Sequence, residues 1–111
     1  MKCAGALQLS SKMADKPIEF QEEAMAEYEA AFDWYFERSH LAAQKFSAEL
    51  TQAVASISES PQRWPKNPHN TRRFFLRHFP FAIVYRELPS TIQIVAVAHG
   101  HRRPGYWKKR L

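Results

Sequence analysis

The chain has 111 residues and a 45% hydrophobic fraction, enough for one domain with a modest core and too short for two. Its single cysteine, Cys3, excludes an internal disulfide, and with no Cys/His group at zinc-ligand spacing and no apolar run near ~18 residues, neither metal, cofactor nor membrane span is expected. The net charge of +5 divides unevenly: residues 1–60 hold five Lys/Arg against ten Asp/Glu, and residues 61–111 hold eleven against Glu87 alone, so −5 faces +10.

Such asymmetry implies a basic surface for an anionic partner, or basic strands that pair with acidic helices of the same molecule. One cysteine also suits a reducing cytoplasm.

In chain order, residues 1–16 lack periodicity and read as a disordered extension, or as an upstream start before Met13. The domain proper is expected over 17–111. Pro17-Ile18-Glu19-Phe20 alternates about Glu19 as a brief strand does. From Gln21 to Arg38, Ala24, Tyr28, Ala31 and Tyr35 recur at helical steps with Phe32 and Phe36 alongside, and early acids suit the helix N-terminus. Ser39 is placed to cap a second helix, whose stripe is Ala43, Phe46, Leu50, Val54 and Ile57 and which stops before Pro61. The short link predicts an antiparallel helix hairpin.

Ser60 to Thr71 is dense in Pro and Asn and reads as loop. Three β-rich runs follow: 73–77, 81–86 and 92–98. Turns at His78-Phe79-Pro80 and Leu88-Pro89-Ser90-Thr91 make them an antiparallel meander. The last two runs are apolar on both faces, so the hairpin covers one face and the C-terminal tail or a partner covers the other. The expected fold is α+β: a short strand, a two-helix hairpin and a small antiparallel sheet, in the order β-α-α-β-β-β.

Five segments carry a resemblance. They are Ala30 to Tyr35, Ala43 to Leu50, Ser60 to Trp64-Pro65, Thr71 to Arg86 through Phe79-Pro80-Phe81, and Val97-Ala98-His99 to Arg102-Arg103-Pro104-Gly105-Tyr106-Trp107. In this order, ending on a basic-Pro-x-Tyr-Trp motif, they resemble the RelE/ParE toxin superfamily, notably its plasmid stabilisation proteins. The likeness runs from Pro17 to Trp107. It implies the toxin of a type II toxin–antitoxin pair, cytoplasmic and neutralised by a cognate antitoxin that covers its active surface. RelE-like members cut mRNA on the ribosome, whereas ParE-like members poison DNA gyrase.

Metal-free RNA cleavage needs a base for the ribose 2′-hydroxyl, cations for the phosphorane and an acid for the leaving oxygen. Should the chain be a RelE-like endoribonuclease, its catalytic residues would be His99, Arg102 and Tyr106. Alternation places His99 on the face of Val95 and Val97, where it either titrates near neutrality or bonds the tail. Arg73 and Arg77, four apart on one strand, share a face, and Arg86 closes the next. They line a groove for an anion or pair with helix acids.

The surface for a target or antitoxin is then Arg73, Arg77, Arg86, Arg102, Arg103, Trp107, Lys108, Lys109 and Arg110. Trp64 and Trp107 are read chiefly as packing residues, and Trp34 as core or as a contact patch. The nucleases carry an arginine just after the turn into the third strand; here Phe81-Ala82 stands there. The leading expectation is therefore a ParE-like toxin acting on gyrase. A ribosome-dependent mRNA endoribonuclease is second, and a non-catalytic nucleic-acid-binding module third.

Overall fold

The computed structural model describes residues 16–111; the expected extension, apart from Lys16, lies outside the described residues. The elements are β1 (Ile18–Phe20), α1 (Glu22–Arg38), α2 (His40–Glu59), β2 (Lys66–Asn67), a 3-10 turn (Pro68–Asn70), β3 (Thr71–Phe75), β4 (Phe81–Glu87), β5 (Ile92–His99) and a last 3-10 turn (Lys108–Arg110).

Ser39 alone separates the helices. It closes α1 through its amide to the Tyr35 carbonyl, and its Oγ accepts from the Ala42 amide to start α2. One residue in extended conformation reverses the chain, so α1 and α2 lie as a hairpin. The expected stripe Phe46, Leu50, Val54 and Ile57 is buried with Ala24 and Tyr28 of α1 against Ile83, Tyr85, Ile92, Ile94 and Val97 of the sheet.

The five strands run in the order β1-β5-β4-β3-β2. The β3-β4-β5 meander is antiparallel as expected, but β1 joins β5 in parallel, Ile18 opposite Ile92, and makes the sheet mixed. The intervening hairpin is the crossover that lets a parallel strand return.

Two details depart from the sequence reading. Within the expected loop, Lys66 and Asn67 pair with Arg72 and Thr71 as a two-residue strand, across a turn in which His69 and Asn70 both adopt positive φ. Flanking prolines leave β2 too short to show a period. And β3 ends at Phe75, so Arg77 lies in the turn and does not share a strand face with Arg73. There the Glu49 carboxylate of α2 accepts from the Arg77 and His78 amides and pairs with the His78 ring. Burial pushes the Glu49 carboxyl up, but these donors outweigh it and hold it below its ordinary value.

A bulge in β5 sets the second layer. Val84 opposes Ala96 while Tyr85 opposes Ile94, so Val95 is an extra residue. Val95 and Ala96 both pack with Val84 and Trp107 on the face away from the helices, and Val97 rejoins the helix-side core. The expected common face for Val95, Val97 and His99 is thus broken: His99 follows Val97, not Val95. The tail covers the second sheet face, with Trp107 only 7% exposed.

Candidate functional site

The tail is fastened by an acid that the sequence reading passed over. Glu27 sits on α1 three residues after Ala24 and four before Ala31, both buried, so the helix directs it at β5. Its carboxylate accepts from the Val97 amide at 2.9 Å, from the Tyr106 hydroxyl at 2.6 Å, and from both terminal nitrogens of Arg110 at 3.1 and 2.9 Å. Arg110 also donates to the Val95 carbonyl exposed by the bulge, and its own carbonyl accepts from Gln21. An acid inside an apolar helix stripe was the signal that could have singled out Glu27.

This hub fixes two of the candidate residues. Burial first, then the Glu27 hydrogen bond and charge, push the Tyr106 phenol far above its ordinary value, so it stays a proton donor to Glu27. Arg110 is locked in the two-pronged pair at 15% side-chain exposure. Arg102 is half exposed, stacks on the Tyr106 ring at 3.8 Å and lies 3.9 Å from Glu27. Gly105, at φ 77°, makes the turn that sends Tyr106 down to Glu27.

His99 ends β5 with its ring edge-on to Phe81 at 5.0 Å. Its Nδ1 accepts from the His101 amide at 3.0 Å. A neutral imidazole accepting at Nδ1 carries its proton on Nε2, which leaves that nitrogen a donor and not a base. The Arg102 amide donates to the His99 carbonyl at 3.0 Å, but among the described residues no side-chain hydrogen bond joins His99 to Arg102 or Tyr106. His99 and Arg102 nonetheless line the same two depressions.

The first depression, about 480 Å³, opens between α1 and the β4–β5 ends and is lined by Ala30, Trp34, Tyr35, Phe81 and Val97, with Glu27, His99 and Arg102. Trp34 is 53% exposed there, under the Arg38 guanidinium at 3.8 Å, so it is a surface residue and not core. The second, about 290 Å³, lies on the tail side, where Arg73, Arg102 and Arg103 meet Phe75, Tyr106 and Trp107.

The other candidates scatter. Arg86 donates to Gln93 across the β4–β5 pair at 2.8 Å. Arg77 is exposed in the β3–β4 turn, Lys108 and Lys109 are exposed on the last turn, and Trp107 is packed under the sheet. Trp64 packs on Phe74, ring centroids 4.7 Å apart, as a packing residue would. Among the described residues no group of three or more His, Cys, Asp or Glu could hold a metal, and no helix is long and apolar enough to cross a membrane.

A helix hairpin packed on a five-stranded mixed sheet, its far face roofed by a tail carrying Tyr-Trp, defines the class: a small two-layer α+β domain. The family described as ParE toxin of type II toxin–antitoxin system, parDE, matches over residues 18–104, and the chain belongs to it. Among solved structures, one titled chromosomal ParDE TA system from P. aeruginosa has the same fold, with a TM-score of 0.65 at 20% identity, covering 74% of this chain and 92% of that one. No curated protein matches.

Proposed function

We propose that this toxin inhibits growth by binding DNA gyrase in the cytoplasm without breaking bonds of its own, and that a cognate antitoxin neutralises it. The supporting observation is that both groups able to move a proton are spent on structure. Tyr106 donates to Glu27, and the Nδ1 of His99 accepts from the His101 amide. A base for the ribose 2′-hydroxyl is missing from the three residues that RNA cleavage would use. The absence of a cation at Phe81-Ala82 agrees.

For the target surface the exposed candidates are Arg73, Arg77, Arg102, Arg103, Lys108 and Lys109, since Arg110 and Trp107 are held inward. For the antitoxin, the cleft beside Trp34, with apolar walls and Arg102, suits a segment both apolar and acidic, whose association would slow as salt rises.

The test is expression of wild type, Tyr106→Phe and a Lys108→Ala/Lys109→Ala variant in cells, with mapping of gyrase-dependent DNA breaks and of mRNA ends. Growth inhibition with DNA breaks should survive Tyr106→Phe and weaken in the double variant. Codon-phased mRNA cuts in wild type that fall by ~10²–10⁴ in Tyr106→Phe, the range for a lost general acid or base, would overturn the proposal in favour of the endoribonuclease.

A further inference from the structure

Part of the positive charge of the second half is already engaged inside the fold. Arg110 is paired with Glu27, Arg86 bonds Gln93, and Arg72 donates to the Gln62 and Trp64 carbonyls. Arg73 and Arg103 differ: both are exposed, and among the described residues neither guanidinium has a hydrogen bond or an ion pair. Arg102 lies beside an acid that Arg110 already neutralises. These three arginines come from β3 and from the loop after β5, far apart in sequence, and line one groove.

The groove has a particular chemistry. Among the described residues no Asp or Glu lines it, so the charges of Arg73 and Arg103 add, with Arg102 beside them. Two of them sit by aromatic rings, Arg102 over Tyr106 and Arg73 5.7 Å from Phe75, and Phe75 is 67% exposed at the edge of the sheet. Arginines beside an exposed aromatic face, Arg73 and Arg103 among them without an ion pair, are what a strand with phosphates and unstacked bases requires. Among the described residues the lining has no Ser, Thr, Asn or Gln side chain either, the Tyr106 hydroxyl is given to Glu27, and apolar Ala82, Val84 and Ala98 form part of the wall. A ribose 2′-hydroxyl would find no free side-chain acceptor there, and that hydroxyl is what marks RNA.

We propose that the groove between Arg73, Arg102 and Arg103 binds a single-stranded segment of DNA by its phosphates, with a base against Phe75. This goes beyond the gyrase reading and does not depend on it, because the chain alone forms the groove. Glu27, the α1 acid that reaches the tail, is paired there with Arg110 and is not among the described residues that line the groove.

The experiment is fluorescence anisotropy of a short labelled oligothymidylate titrated with the full chain over a salt series. Three phosphate contacts at ~0.7 each give a slope of about 2 in log affinity against log salt, roughly a 20-fold loss over a fourfold rise in salt. Arg73→Ala and Arg103→Ala should each remove ~0.7 of the slope, whereas Lys45→Ala, exposed on α2, should leave it unchanged. Both arginines are exposed, and an unchanged melting curve verifies each variant's fold. Phe75→Ala should weaken binding with the slope kept. No binding at low salt, or a slope indifferent to Arg73 and Arg103, overturns the proposal. Tighter binding of oligouridylate overturns the assignment to DNA. Displacement by polyglutamate as effective as by unlabelled oligothymidylate overturns it in favour of an acidic peptide. Growth inhibition in cells is a separate readout, so failure here leaves the gyrase test intact.

Discussion

Replacing Glu27 with alanine should release the C-terminal tail while the rest of the domain stays folded. The carboxylate is 16% exposed and Arg110 15%, so this pair is largely out of water. Removing the acid strands the Arg110 guanidinium, the Tyr106 hydroxyl and the Val97 amide at once. Breaking a buried pair by deleting one partner costs about 3–5 kcal/mol. The lower end applies because Arg110 keeps the Val95 carbonyl and residual water reaches the site. About 3 kcal/mol leaves a domain of ordinary stability folded, but at ~4–8 °C per kcal/mol it lowers the melting temperature by roughly 12–24 °C. Glu27→Gln keeps an acceptor and loses the charge, so it should fall between the two. Thermal melts followed by circular dichroism give the magnitude, and limited trypsin digestion gives the location, since Arg103, Lys108, Lys109 and Arg110 all lie in the tail. The alanine variant should be clipped there first, with residues 18–99 still protected. A melting temperature within ~2 °C of wild type, less than 1 kcal/mol on this scale, together with unchanged tail protection would refute the view that Glu27 anchors the tail.

Leu50 is 1% exposed in the helix-side core, so Leu50→Ala should cost about 2–5 kcal/mol in urea denaturation, and a loss well under 1 kcal/mol would contradict its placement. Ser39→Ala removes the cap on α2 and should cost about 0.5–2 kcal/mol, read in the same assay. Burial pushes the Tyr85 phenol up to about 12, and Tyr106 is also raised, so each is more easily ionised in the unfolded chain, near pH ~10. Their stabilisation is therefore complete below that value and drains away as pH rises from ~10 towards the raised values. Alkaline melts of Tyr85→Phe and Tyr106→Phe should show a shallower decline than wild type, and identical pH profiles would contradict the assignment.

The sequence by itself determined the elements whose signal is local. A 3.6-residue period with Ser39 and Pro61 as punctuation is enough for α1 and α2, because each stripe needs only its own spacing. Apolar runs between turn residues likewise give β3, β4 and β5, and the ordered motifs from Pro17 to Trp107 carry the family resemblance. What only the tertiary structure decided depends on residues distant along the chain. The parallel pairing of β1 with β5 requires the hairpin to be packed, and the bulge at Val95, which sends His99 to the helix side, arises from the register with Val84 and Tyr85. The status of each cation was equally hidden. Arg110 is consumed, and among the described residues Arg103 is left without an ion pair, because Glu27, more than 70 residues earlier, can satisfy only the donors the fold brings to it. Composition counts charges, whereas partnership depends on distances that only the packed chain defines.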